Sequence, residues 1–103
     1  MSSKYTSDQV QRTLKALRAM VGFETQGISP SELAKRIDEK PGANITRILA
    51  NLEEAGLAEK LPANDKVWRL TAVFAQASNT IAINLREAEQ RIQQDVHNFS
   101  RLG

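Results

Sequence analysis

Three observations predict a mostly α-helical chain with one small β-hairpin. Apolar residues recur at helical spacing in three segments before residue 56, each bounded by capping or breaking residues. Residues 57–71 alternate and hold turn formers in their middle, as two short strands would. A helical pattern without clear breakers then runs to Ser100. The order helix, helix, helix, hairpin is that of a winged helix-turn-helix, followed here by a long C-terminal helix. The expected boundaries are 7–71 for the winged domain and 72–100 for the long helix.

The first helix comes from "SDQVQRTLKALRAMVG", which sets Val10, Leu14, Leu17 and Val21 at helical spacing with Arg12, Lys15 and Arg18 turned away. Ser7 or Asp8 can cap its start, and Gly22 marks its end. The loop "FETQG" is expected to bring Phe23 and Ile28 back toward the core.

The second helix has a strong start signal in "SPSELAKRIDEK". Ser29 can cap, Pro30 suits the first helical position, and Glu32 follows Ser29 by three as in a capping box. Leu33, Ala34 and Ile37 form its buried stripe. Pro41 then breaks the pattern. A third helix follows from about Gly42 to Ala55, with Ile45, Ile48, Leu49 and Leu52 inward and Gly56 as its left-handed stop.

"LAEKL", "PAND" and "KVWRLT" read as strand, turn and strand. Trp68 and Leu70 share one face; Val67, Arg69 and Thr71 share the other. Beyond Thr71, Phe74, Ala77, Ile81, Leu85, Ala88, Ile92, Val96 and Phe99 recur at steps of three or four, flanked by Arg86, Glu87, Glu89 and Arg91. A helix of this length spans roughly 40 Å. A domain of about 70 residues cannot cover so long a seam, so a second chain, most simply another copy, is expected on it.

Composition excludes several function classes. The 103 residues include no cysteine, which removes disulfides, thiolate zinc sites and cysteine nucleophiles. His97 is the single histidine, it has no second ligand nearby, and no Gly-rich phosphate loop occurs. The carboxylates sit beside Lys and Arg at helix-surface spacing, with no apolar setting to raise a pKa. No enzyme activity, metal or cofactor is expected. With no long apolar run and no hydrophobic leader in "MSSKYTSDQV", the expectation is a cytoplasmic protein without a membrane partner.

Net charge is +2, unevenly spread. Residues 1–22 hold Lys4, Arg12, Lys15 and Arg18 against Asp8, whereas 23–58 are net acidic. The wing holds Lys60, Lys66 and Arg69 against Glu59 and Asp65. Such a distribution is compatible with a polyanion.

The third helix is the informative one. With its apolar residues inward, Gly42, Ala43, Asn44, Thr46 and Arg47 remain on the outer side, followed by Ala50 and Asn51. A recognition helix enters the major groove by its N-terminal end, where small residues permit close approach. Asn suits adenine, Arg suits guanine bidentately, and Thr reaches base or phosphate. Glu53 and Glu54 stand at the far end. Expected DNA-binding residues are therefore Gly42, Ala43, Asn44, Thr46 and Arg47, with Lys60, Lys66 and Arg69 from the wing. Arg47 has Glu24 or Glu39 as alternative partners, Arg69 has Glu59, and Trp68 reads as core beneath the wing rather than as a stacking platform.

"ELAKRIDEKPGANITRILANLEEAGLAEK" with "VWRLT" resembles the N-terminal winged helix of IclR-type transcriptional regulators. Pro41, Arg47, Leu49, Leu52, Gly56, Leu57, Trp68, Arg69 and Leu70 fall in that family's register, and the resemblance spans about Val10 to Thr71. It implies that Gly42, Ala43, Asn44, Thr46 and Arg47 face DNA, with support from the wing. The family carries a large effector domain after the wing, where this chain has a helical pattern, so no small-molecule effector is expected. Winged helices that bind Z-DNA use an Asn and a Tyr where this chain has Thr46 and Ala50, which sets that class aside.

The expectation is a small prokaryotic or phage transcriptional regulator. It would bind double-stranded DNA as a homodimer through Phe74, Ala77, Ile81, Leu85, Ala88, Ile92, Val96 and Phe99. The alternative is a winged-helix interaction module within a larger assembly.

Overall fold

A computed structural model describes residues 4–102. The helices are α1 (Asp8–Ala19), α2 (Pro30–Arg36), α3 (Ala43–Glu54) and α4 (Val73–Leu102); strands β1 (Ala58–Leu61) and β2 (Asn64–Leu70) lie between α3 and α4. The mostly helical fold, with an antiparallel two-stranded wing and a long C-terminal helix, is the one the sequence predicts. The chain divides into two compact units, Met1–Val73 and Phe74–Gly103.

In the first unit, α1 packs on α2 and α3, α3 on β1, and α2 on β2. Met20, Ile28, Leu33, Ile45, Ile48 and Leu49 are fully buried at the centre. Burial of each such large side chain contributes about 1.5–3 kcal/mol.

Ser7 caps α1 by accepting from the Val10 amide at 3.3 Å. The buried face of α1 differs from the expected one. Ala16 and Met20 are inaccessible, whereas Val10, Leu14 and Val21 are 53, 46 and 64% exposed. A small residue lets helices approach closely, and the contact distance follows the side chains that meet there. Ala16 therefore sets the docking line, and the larger apolar residues lie to one side of it.

Ser29 caps α2 from the position before Pro30, accepting from the Glu32 amide at 3.2 Å. The Glu32 carboxylate pairs with Arg36, 3.4 Å away. The stop of α3 is a Schellman motif: Gly56 has φ +77°, its amide donates to Glu53 O, and the Leu57 amide donates to Leu52 O at 2.8 Å.

In the wing, Ala58 opposes Leu70, Glu59 opposes Arg69, and Lys60 opposes Trp68. The next pair is Leu61 with Asn64, so β2 bulges over Asp65–Val67. Asn64 and Asp65, expected in the turn, belong to the strand. Only Pro62 and Ala63 make the turn, and Asn64 Oδ1 accepts from the Lys66 amide at 3.0 Å. Ile28 adds a one-residue bridge to β2 at Trp68.

In the second unit, α4 continues unbroken for 30 residues, roughly 45 Å at the usual rise. Ile81, Leu85, Ile92, Val96 and Phe99 are exposed, and Phe74 and Ala88 are half-buried. No helix among the described residues is long and apolar enough to cross a membrane.

Candidate nucleic-acid interface

The amino end of α3 is open. Gly42 precedes it with φ +141° and ψ −148°, and no side chain caps the helix. A Cβ at Gly42 would meet nothing within 4 Å, so conformation rather than space calls for glycine there. A side-chain cap is therefore absent for a backbone reason. The first amides of the helix stay available to a ligand, and no acidic residue occupies the first turn to offset the positive end of the helix dipole.

Gly42, Ala43, Thr46 and Arg47 are exposed around this end. Thr46 Oγ1 donates back to Gly42 O at 3.3 Å and keeps acceptor capacity. Neither alternative partner takes Arg47. Glu39 pairs with Arg12 at 3.6 Å, and Glu24 accepts from the Gly22 amide at 3.0 Å. That bond, followed by one from its own amide, holds the Glu24 carboxyl below the ordinary glutamate pKa. Among the described residues no carboxylate pairs with Arg47, and its carbonyl accepts from Asn51 Nδ2 at 2.8 Å.

Asn44 sits differently from its neighbours. It is half-buried, with Oδ1 accepting from Gln9 Nε2 at 3.0 Å and Nδ2 buried without a partner. Its amide is committed to α1. The sequence offered no signal for this link, since its two residues are 35 positions apart.

The wing residues also divide. Lys60 and Lys66 are exposed; with Thr46 they rim a cleft of about 370 Å³ between α3 and the wing, floored by Pro30, Leu49 and Trp68. Lys60 Nζ lies 5.6 Å from the centre of the Trp68 ring, within cation–π range. Trp68 is only 8% exposed, as a core residue beneath the wing should be. Asp65 is the one carboxylate lining the cleft. Arg69 stands apart from this group. Its Nε donates to Glu59 Oε2 at 2.8 Å and its Nη1 to Glu24 O at 3.4 Å.

Three expected contact residues, Thr46, Lys60 and Lys66, thus share one cleft. Gly42, Ala43 and Arg47 lie at the open helix end; Asn44 and Arg69 are tied into the fold. Among the described residues no group of three His, Asp or Glu side chains could hold a metal ion. Neither a protein-family model nor a curated protein matches the chain.

Proposed function

We propose that this protein binds double-stranded DNA through the amino end of α3, as a small transcriptional regulator whose winged domain is of the IclR type and which acts as a dimer through α4. The observation that carries the reading is the uncapped, acid-free start of α3, ringed by Gly42, Ala43, Thr46 and the unpaired Arg47. Free amides and a positive helix end suit phosphate, and a guanidinium with no internal partner suits a base edge. Lys60 and Lys66 add phosphate contacts from the wing, as the cationic rim of the cleft supports.

The test is fluorescence anisotropy with duplex DNA over a range of salt. Affinity should fall steeply with rising salt, and Arg47→Ala should cost about 1–3 kcal/mol and relax the choice of base at one position. Asn44→Ala should change the base preference little, because its amide serves α1. Absence of binding at low salt would remove the DNA reading.

A second reading, a winged helix used for protein contact, draws on the exposed Val10 and Leu14 of α1 and on Val21 in the turn that follows it. Association driven by that apolar stripe would be nearly indifferent to salt.

A further inference from the structure

The cleft between α3 and the wing is more than a cationic edge. Its floor of Pro30, Leu49 and Trp68 is apolar, whereas Thr46, Lys60, Asp65 and Lys66 carry its polar groups. A duplex presents charged phosphates, which the two ammonium groups can meet at the rim. Nothing draws a phosphate into the apolar recess below, because burying its charge there costs hydration. The floor therefore has no use in the DNA reading.

The recess has the composition of a small-molecule site, an apolar and partly aromatic lining with a few polar groups that fix orientation. Its volume of about 370 Å³ is near the low end of the usual range, roughly 300–1,000 Å³. That size suits a body of one or two fused rings. Trp68 favours an aromatic body over an aliphatic one, since paired rings gain beyond the area they bury.

The rim sets the polar part of the ligand. Lys60 and Lys66 against Asp65 leave one net positive charge, which matches a monoanion better than a dianion. Lys60 Nζ stands 5.6 Å from the centre of the indole ring, so a cation already lies over the floor. Asp65 and Thr46 both offer acceptors. An ionised Asp65 has no proton to give, and Thr46 Oγ1 donates its own to Gly42 O. A ligand that satisfies them carries a hydroxyl or N–H besides its carboxylate.

We propose that this cleft binds a small aromatic carboxylate bearing a hydroxyl or N–H donor, and that such a ligand competes with DNA. The cleft lies wholly within the winged unit, so the site needs no separate effector domain. Competition follows because Thr46, Lys60 and Lys66 belong both to the cleft and to the proposed DNA surface. The competition rests on the DNA reading above; the site itself does not.

Trp68 is the chain's single tryptophan, so one indole N–H signal in an NMR spectrum reports on the floor. 6-Hydroxy-2-naphthoate should move that signal with a dissociation constant of about 1 mM or tighter. 2-Naphthol, which lacks the carboxylate, should bind several-fold more weakly. Lys60→Met combined with Lys66→Met should abolish that preference and keep the dispersion of the spectrum, because both side chains are exposed. Equal binding of acid and naphthol, or an unaltered preference in the double variant, overturns the anionic class. No movement of the Trp68 signal at several millimolar overturns the site. At saturation and matched ionic strength, the acid should weaken duplex affinity several-fold by anisotropy. Unchanged duplex affinity with the site occupied overturns the competition and leaves the site standing. Binding of the acid without any binding of duplex at low salt removes the DNA reading, and the competition with it, but upholds the site.

Discussion

Ile28 and Trp68 exchange both of their backbone hydrogen bonds: the Ile28 amide donates to Trp68 O at 2.8 Å, and the Trp68 amide returns one to Ile28 O at 2.9 Å. This single bridge fastens the loop before α2 to the wing, next to the indole that floors the cleft. Trp68 therefore serves the core by its ring and the wing by its backbone.

Trp68→Ala is expected to cost about 3–5 kcal/mol, the range for removing a large aromatic from a core. A urea titration followed by circular dichroism would measure it. A loss below about 1 kcal/mol would mean that the indole contributes little to the core.

Gly27→Ala is the second expected lesion. Gly27 has φ +75°, and a Cβ there would lie 2.6 Å from Val67 Cγ2 and 2.8 Å from Leu61 Cδ1. Left-handed backbone costs an alanine about 1–2 kcal/mol, and crowding adds about 1–3 more. At Gly22 a Cβ meets nothing within 4 Å, so Gly22→Ala bears the backbone cost alone. Equal midpoint shifts in the two variants would show that Val67 and Leu61 yield without cost.

Arg69 and Glu59 face each other across the wing at 2.8 Å, with side chains 31 and 44% exposed. Arg69→Ala should lower stability by roughly 0.5–1 kcal/mol and leave the salt dependence of DNA binding unchanged. Lys60→Ala and Lys66→Ala should each reduce the salt slope by about one. A reduced slope in Arg69→Ala would assign that guanidinium to phosphate.

Glu24 predicts a dependence on acid. Because its carboxyl is held below the ordinary value when folded, the Gly22 contact contributes stability above that value and loses it as pH falls through the lowered one. Carbon-detected NMR should show Glu24 titrating below an ordinary glutamate, and Glu24→Gln should flatten this limb of the stability profile. Titration at or above the ordinary value would count against the Gly22 hydrogen bond.

Much of the fold was legible because its signals are local. Ser29, Pro30, Pro41 and Gly56 act on their own dihedral angles or on neighbouring amides, so α2 and α3 could be bounded by reading along the chain. The buried face of α1 was not legible. Its larger apolar residues keep helical spacing, yet Ala16 sits at the contact, because docking depends on the shape of α2 and α3. The wing's turn was misplaced for a related reason: Asn64 and Asp65 are good turn formers, but a bulge absorbs Asp65 into β2.

The sequence by itself determined the order of the elements, the stop of α3, and the uninterrupted seam of α4, since each follows from residues within a few positions of one another. Only the tertiary structure decided which polar groups remain free. Arg12 is taken by Glu39, Asn44 by Gln9 and Arg69 by Glu59, while Arg47 keeps an open guanidinium. Those pairings join residues 10 to 35 positions apart, so they depend on how packed helices and strands register against each other, which no local propensity encodes.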